Sequence, residues 1–238
     1  MSFKTDKQTL EDLNIFGKPG KESVFNIYNH THTNGGSDIL EKLFLYPLDN
    51  ADAINNRSLT IQYFSQLKSL FPIKPEHLDS AEIYLSMTDP RTRLSADHQD
   101  LGRKFNHLIS ADGDYKLISR GIEAILGIYN DLSLFVEEIG PAAKLTPYHQ
   151  DLKAIDDLLN EGSLSTLIPD KKHTGKLAYE KAVHLDGLLR FSIRDKVREI
   201  LNHIYHLDVY MSIAKVASER KYVFPVALNK EEHAVKLL

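Results

Sequence analysis

Two pairs of histidines have a spacing at which both side chains could bind one metal ion. His30 and His32 lie two residues apart in a polar stretch, and His203 and His206 lie three apart with Asp208 close by. A zinc site needs more ligands than one such pair supplies, and the first pair has no acidic or cysteine partner beside it. We therefore expect His30 and His32 to lie in an ordinary loop and the second pair to lie on a solvated helix face.

The sequence contains no pattern for phosphate binding or nucleophilic catalysis. Residues 17–22, Gly-Lys-Pro-Gly-Lys-Glu, lack the spacing of a P-loop and the Ser or Thr that follows its lysine. No serine stands in a Gly-x-Ser-x-Gly elbow, and the adjacent carboxylates Glu137–Glu138 and Asp156–Asp157 point apart on helices. The chain has no cysteine, which excludes a thiolate zinc site and a cysteine nucleophile. We expect no catalytic, cofactor-binding or metal-binding residue in the chain.

Basic residues form two clusters that could contact phosphates. These are Arg91, Arg93, Arg103 and Lys104, and then Lys171, Lys172, His173 and Lys176 in a loop. The net charge is -4 and the pI about 6.3, so no global positive field draws the chain onto DNA or an anionic membrane. Any DNA binding must be local, weak and independent of sequence, and we expect Lys171, Lys172 and Lys176 to make the backbone contacts.

The start of the chain argues against export and membrane insertion. The residues MSFKTDKQTLEDL are charged and lack an apolar core, and no later apolar run approaches the roughly 18 residues of a membrane span. Together with the absence of cysteine, this predicts a cytoplasmic protein with no membrane partner.

The fold class follows from the spacing of the apolar residues. They recur at steps of three and four over long stretches, and no alternating strand pattern occurs, so the prediction is an all-α fold. Residues 1–20 contain Gly17, Pro19 and Gly20, which break helices. We expect them to form an extended arm that docks on the core.

Three shorter helices are predicted in the first third of the chain. Gly35–Gly36 precedes a helix that ends near Pro47, because proline disfavours helix in the residue before it. The second begins after Asp49 or Asn50, either of which can cap free amides. The third is expected over about 76–88.

Two long helices are predicted in the remainder, separated by Gly140–Pro141, an amphipathic segment and a flexible loop over 161–174. The first, over about 114–139, has a coiled-coil-like seam of Ile118, Ile122, Ile125, Tyr129, Leu132, Val136 and Ile139. The second, over about 175–219, would be roughly 65 Å long if unbroken. Extra four-residue steps around Ile193 should locally unwind the supercoil of the two helices.

Several spaced elements, in one order, go beyond a generic helical pattern. They are Asp12–Phe16, Ser23–Phe25, Asn29–Gly36, Leu40, Leu43, Pro47–Leu48, Ile54 and Arg57, and then Leu207–Tyr210, Ala214, Ala217 and Tyr222–Pro225. This order resembles the opening of the MutS core domain and the stretch that leads out of the MutS lever. The resemblance spans about Leu13 to Pro225 and implies a helical core and lever bundle.

The motif residues of this resemblance have turn and capping chemistry. They are Asn29, Thr31, Thr33, Gly36, Pro47, Leu48, Ile54 and Arg57. A glycine that opens a helix, threonine hydroxyls that bond nearby backbone and a proline that closes a helix favour a structural role over a catalytic one.

The resemblance also implies an organisation. It comprises an arm over 1–20, a helical core over 21–112, lever helices over 113–220 and an exit over 221–238 towards an ATPase domain. The clamp of the family is expected to be reduced or absent near 142–175. The mismatch reader and the ATPase domain have no counterpart in the sequence, so we expect a module of a longer parent protein.

The function implied by the resemblance is mechanical. The module would couple a DNA-facing end to the C-terminal ATPase of a parent related to DNA mismatch repair, without catalysis of its own. ATP and Mg²⁺ would be bound in the parent, and a homodimer would form through the missing domain. The alternative is an all-α scaffold or protein-interaction module with no DNA role. An enzyme is a third hypothesis, and no constellation of residues supports it.

Overall fold

The protein is built from helices and their connections. A computed structural model describes residues 4–17, 22–67, 69–94, 108–162 and 177–229, with the backbone alone for 108–112. No residue in these ranges lies in a β-strand, so the all-α prediction is confirmed. In the same ranges no helix is long and apolar enough to cross a membrane.

The α-helices differ greatly in length. Those that lie within the described ranges are, in chain order, α1 (Lys7–Asp12), α2 (Val24–Tyr28), α3 (Asn34–Leu45), α4 (Ala51–Leu67), α5 (Pro75–Ser86), α6 (Leu108–Ala143), α7 (His149–Leu159), α8 (Tyr179–Asp186) and α9 (Arg194–Glu219). A 3₁₀ turn covers Pro90–Thr92, and a π-helical turn covers Gly187–Ser192 between α8 and α9.

The chain divides into two compact units, each assembled from separate stretches of sequence. The first consists of Met1–Phe71, Gly140–Leu152 and Asn202–Leu238, and the second of Pro72–Ile139 and Lys153–Leu201. The predicted division into arm, core, lever and exit concerns successive segments and stays a prediction.

The amino-terminal segment of the first unit is only partly extended. The prediction of an extended arm is wrong over Lys7–Asp12, where Asp6 caps α1 by accepting a 3.0 Å hydrogen bond from the Thr9 amide. The predicted docking on the core is confirmed. The Thr5 amide donates to the carbonyl oxygen of Leu45 at 3.0 Å. The Phe16 ring centroid lies 5.6 Å from that of Phe25 and 6.4 Å from that of Phe44.

The ends of the next helices agree with their sequence signals. Helix α3 ends at Leu45, two residues before Pro47. Of the two predicted caps for α4, Asn50 is the one that bonds the helix, through a 2.8 Å hydrogen bond from the Ala53 amide to its side-chain oxygen. Helix α5 begins with Pro75, whose fixed φ suits a first turn.

Helix α6 buries the predicted apolar seam. In the second unit Ile118, Ile122, Ile125, Tyr129, Leu132 and Ile139 are each at most 1% exposed, and Val136 is intermediate. The predicted break at Gly140–Pro141 does not occur, since α6 runs on to Ala143. Pro141 lies in the last turn, where the missing N–H removes one bond near a helix end rather than in its middle.

The second long helix is interrupted by the π-helical turn. The Ile193 amide donates to the carbonyl oxygen of Leu188, five residues back, at 2.9 Å. An unbroken helix over 175–219 is therefore not what forms, and the predicted local unwinding of the supercoil around Ile193 stays a prediction. Apolar residues remain buried on both sides of the turn and within it: Ala182 and Leu185 before it, Leu189 inside it, and Ile193, Val197 and Ile200 after it.

A buried ion pair, which sequence reasoning missed, spans this turn in the second unit. The Asp186 carboxylate is fully buried and accepts from Arg190 Nε at 2.5 Å and from the Tyr84 hydroxyl at 3.0 Å. Arg190 also donates to the carbonyl oxygens of Met87 and Thr92, and the Leu94 amide donates to Asp186. Burial and the neighbouring carboxylate both raise the pKa of Tyr84, so its hydroxyl stays protonated as a donor.

Candidate functional site at the motif and the exit segment

The motif between α2 and α3 is a chain of local caps. Thr33 precedes α3, and its hydroxyl oxygen accepts a 2.8 Å hydrogen bond from the Gly36 amide. Thr31 donates to the side-chain oxygen of Asn29 at 2.7 Å, and Asn29 donates to the Ser37 hydroxyl at 3.0 Å. The structure thus shows the capping that the residue types predict, with Thr31 bonded to a side chain instead of the backbone.

Asp208 on α9 fixes this motif from the other side. Its side chain is fully buried and accepts hydrogen bonds from the amides of His32 and Thr33 and from the Thr33 hydroxyl, at 2.9–3.0 Å. The carboxylate thereby lies at the amino-terminal end of α3, where the helix dipole favours a negative charge. These donors offset the cost of burying the carboxylate.

Gly36 is required by this close approach of Asp208. A Cβ atom added at Gly36 would lie 2.6 Å from Asp208 Oδ2 and 2.8 Å from Thr33 Oγ1. Such distances do not occur between unstrained atoms, so any side chain at Gly36 would push Asp208 out of its bonds. A Cβ atom added at Gly35 would likewise lie 2.6 Å from the ring of Tyr205.

Ser212, one helical turn beyond Asp208, makes the second attachment. Its hydroxyl accepts from the His30 amide at 2.8 Å and donates to the carbonyl oxygen of Tyr28 at 2.7 Å. Sequence analysis singled out Asp208 as a neighbour of two histidines and as part of the Leu207–Tyr210 stretch, but it predicted no contact for Asp208 and did not find Ser212. The available signal was their spacing of four residues, which places both on one face of a helix.

The remaining motif residues line a cavity of about 390 Å³ in the first unit. Pro47, Leu48, Ile54 and Arg57 form part of its wall, and the residues after α9 complete it: Tyr222, Val223 and Phe224. The Arg57 side chain is half-buried, and this burial lowers its pKa. The motif residues therefore lie in two places: the first group forms the caps around Asp208, and the second group lines this cavity.

A segment without regular secondary structure, 222–229, follows α9 and is held on α4. The side-chain amide of Asn55 donates to the carbonyl oxygen of Ala227 at 3.0 Å and accepts from the Ala227 amide at 2.8 Å. The rings of Tyr28 and Tyr222 lie 6.3 Å apart. We call residues 222–229 the exit segment.

The histidine pairs occupy different surroundings. His30 and His32 lie in the loop before α3, as expected, and the His32 ring stacks on Phe71 with centroids 4.8 Å apart. The expectation of a solvated face for His203 and His206 is wrong, because both are half-buried and line a polar cavity of about 210 Å³. Burial lowers the pKa of His206; the nearby Asp151 carboxylate opposes this shift, and His203 and Arg57 add to it.

This second cavity is lined by polar side chains alone. They are Tyr148, Asp151, Asn202, His203, His206 and Tyr210. Among the described residues no group of three or more His, Cys, Asp or Glu has a geometry that could hold a metal ion.

The two basic clusters lie only partly within the described residues. Lys171, Lys172 and Lys176 lie outside the described residues, as do His173, Arg103 and Lys104. Arg91 is exposed and paired with Asp89 at 2.5 Å, and the Arg93 guanidinium lies 5.1 Å from the centre of the Phe191 ring. Neither arginine therefore projects as an isolated cation, and the predicted DNA contacts of the three lysines stay a prediction.

Comparison with known proteins identifies the family. The sequence matches the family described as MutS domain III over residues 8–214. No curated protein and no solved structure is found to match it. The family match includes the capping motif, Arg57 and both α9 anchors, Asp208 and Ser212, so the resemblance seen in the spaced motifs is confirmed. Since this match extends over most of its length, the chain belongs to the MutS domain III family.

Proposed function

We propose that this chain is the core and lever module of a MutS-like parent protein and couples a DNA-facing end to a C-terminal ATPase. One observation carries the proposal: α9 binds the motif through Asp208 and Ser212 and leads directly into the exit segment. A displacement of the exit segment would therefore be passed to the motif through hydrogen bonds to one rigid helix.

In this proposal the chain transmits movement, and any catalysis takes place elsewhere in the parent protein. ATP and Mg²⁺ would bind in the ATPase domain of the parent, and that domain would also form the homodimer. The support is the family match together with side chains whose roles are capping and packing.

The DNA-facing end would be the loop that carries Lys171, Lys172 and Lys176. The first described residue after these lysines is Leu177. Helix α8 follows, and its first residue, Tyr179, has its ring 5.5 Å from that of Tyr115 in α6. The chain after the lysines is therefore anchored in the second unit beside the amino-terminal part of α6. Lysines next to such an anchor could contact a phosphate backbone without reading its sequence.

Fluorescence anisotropy with labelled matched and mismatched duplexes, across a salt series, tests the DNA role. We expect weak binding without mismatch preference, whose log-log salt slope falls by about 0.9 for each lysine contact removed. Reversing the charge of Lys171, Lys172 and Lys176 should abolish binding. The matched control reverses three exposed lysines elsewhere: Lys42, Lys74 and Lys153.

The possible outcomes separate the hypotheses. Equal loss of binding in the two triple variants would show that only net charge matters and would refute the assigned contacts. Tight, salt-insensitive or mismatch-selective binding would refute the proposed weak backbone contact. Undetectable binding at low salt would favour the alternative of a protein-interaction module with no DNA role.

A further inference from the structure

The polar cavity of the first unit, about 210 Å³ in volume, is bordered by side chains that lack partners of their own. All of its described lining residues carry hydrogen-bonding groups: Tyr148, Asp151, Asn202, His203, His206 and Tyr210. Within the described ranges none of these side chains makes a hydrogen bond or an ion pair. Buried polar groups in proteins are almost always paired, so the missing partners belong in the cavity itself.

Tyr148 gives the strongest evidence, because its hydroxyl oxygen is buried and has no partner in the described part of the chain. The residue is 2% exposed, and its ring packs edge-on against Phe64 with centroids 4.8 Å apart. Burial, followed by the charge of Asp151, raises the pKa of Tyr148, so the hydroxyl keeps its proton and needs an acceptor. A phenylalanine would fill the same space without the cost of an unpaired hydroxyl, so this hydroxyl points to an occupant that accepts its hydrogen bond.

The polar ends of the lining residues lie within short range of one carboxylate. After burial, the charge of Asp151 is the largest influence on the pKa values of Tyr148, Tyr210 and His206. The rings of Tyr148 and Tyr210 stand almost perpendicular to each other with centroids 6.2 Å apart, and the His206 ring lies 6.5 Å from that of Tyr210. Donors, an acceptor and flat ring faces therefore border the same small volume.

The charges around the cavity favour a neutral occupant. Of the described residues that line it, Asp151 is the one carboxylate, and no lysine or arginine joins it. The positive charge of Arg57 acts on Tyr210 and His206, the same two groups on which Asp151 acts, and so offsets the field of the carboxylate. Burial lowers the pKa of His206, so this ring is neutral at neutral pH. Neither an anion beside Asp151 nor a cation near Arg57 gains a clear net attraction.

The lining groups require both donors and acceptors from their occupant. The tyrosine hydroxyls donate, Asp151 accepts, and a neutral imidazole does one of each at its two nitrogens. A carboxamide carries both kinds of group but forms only about four hydrogen bonds, fewer than the six lining residues offer. Every hydroxyl of a polyol both donates and accepts, and the C–H groups of a sugar ring pack on aromatic faces.

We propose that this cavity binds a small neutral polyhydroxylated molecule of the size of a single sugar ring. Tyr148 and Tyr210 donate hydrogen bonds to its oxygens, and Asp151 accepts from its hydroxyls. Asn202 is exposed and contacts the part of the molecule nearest to solvent. The inference goes beyond the proposed coupling role and does not depend on DNA binding.

NMR titration of the full chain, following the ring C–H signals of His203 and His206, tests the proposal. The probes are myo-inositol, D-glucose and D-ribose, and the control is cyclohexanol, which keeps the ring of inositol but carries a single hydroxyl. We expect at least one of the polyols to bind at millimolar concentration, roughly tenfold more tightly than cyclohexanol. Absence of a saturable shift with all of the polyols would overturn the proposal and leave water as the occupant.

Two variants with matched controls test the residue assignment. Tyr148→Phe should weaken polyol binding roughly fivefold and should melt at the parental temperature or above it, because the lost hydroxyl has no partner among the described residues. Tyr129→Phe removes another buried hydroxyl without a described partner, in the second unit, and should leave binding unchanged. Asp151→Asn should weaken binding roughly tenfold, whereas Asp157→Asn, at an exposed position of the same helix, should not. Parental affinity in both Tyr148→Phe and Asp151→Asn would refute the site.

Other small ligands give distinguishable results in the same titration. If inorganic phosphate bound more tightly than each of the polyols, the cavity would be an anion site. The same result with methylammonium would make it a cation site, and with acetamide an amide site. Each of these outcomes would refute a neutral polyol as the occupant.

Discussion

Replacing Asp208 should release the motif from α9, and the structure gives the size of the effect. In Asp208→Ala, the buried Thr33 amide and hydroxyl lose their shared acceptor, and the half-exposed His32 amide loses it as well. Each buried donor left without a partner costs about 1–3 kcal/mol. Relief from burying a carboxylate returns part of this, so we expect a net loss of about 3–5 kcal/mol in the free energy of unfolding.

Asp208→Asn should be milder than Asp208→Ala. The asparagine keeps one oxygen as an acceptor but turns an NH₂ group towards donors that need a partner. We expect a loss of about 2 kcal/mol. The matched control is Asp38→Ala, at an exposed position of α3 in the same unit, where the change should stay within about 0.5 kcal/mol.

Urea unfolding followed by circular dichroism measures the totals, and amide hydrogen exchange localises them. In Asp208→Ala the amides of Thr33 and Gly36 should exchange more than roughly tenfold faster, because the cap of α3 opens locally. If Asp208→Ala lost no more stability than Asp38→Ala, or if those amides stayed protected, Asp208 would not be what fastens the motif.

The other predictions concern the second unit and the polar cavity. Ile125→Asp should lower the free energy of unfolding by about 3–5 kcal/mol, because Ile125 is 1% exposed. The control, Leu117→Asp on the same helix at 45% exposure, should lower it far less. Equal melting temperatures of the two variants would show that the seam is misassigned. Arg190→Met should lower the free energy of unfolding by about 3–5 kcal/mol, because it leaves Asp186 charged and unpaired. Adding Asp186→Leu should recover part of this loss. If the two losses measured by urea unfolding simply added in the double variant, the pairing would be contradicted. His206 has a folded-state pKa below its ordinary 6.5, so the folded state binds this proton less readily than the unfolded state, and stability should fall as pH drops from about 7 through that lowered value. His206→Gln should flatten this part of the pH profile of the urea midpoint, and an unchanged profile would show that another group titrates.

The parts of the fold that the sequence predicts are those fixed by nearby residues. Proline and capping side chains act within one helical turn. The carboxyl end of α3 could therefore be placed from Pro47 alone, and the start of α4 from Asn50 alone. The α6 seam could be predicted because burial repeats at steps of three and four. Helix α1 carried the same kind of signal, Asp6 followed by Thr9, and was missed because the nearby glycines and proline dominated the interpretation.

The fastening of the motif could not be predicted in this way. Asp208 and Thr33 are 175 residues apart in sequence, and nothing local shows that this carboxylate is buried. Arg57 presents the same difficulty: its type and position in the motif were visible, but its burial depends on residues that are distant in sequence. For such long-range contacts, sequence spacing gives only candidate residues.

The π-helical turn shows how a pattern can predict an irregularity without naming its form. The steps between buried apolar residues from Ala182 to Val197 are three, four, four and four, one residue more than alternation of four and three would give. In a continuous α-helix each extra residue rotates the following side chains by about 100°. The wide turn absorbs that residue, so the positions on both sides stay buried. Arg190 lies within this turn and bonds the 87–92 loop, so removing one residue from it would displace the buried ion pair and the apolar stripe together.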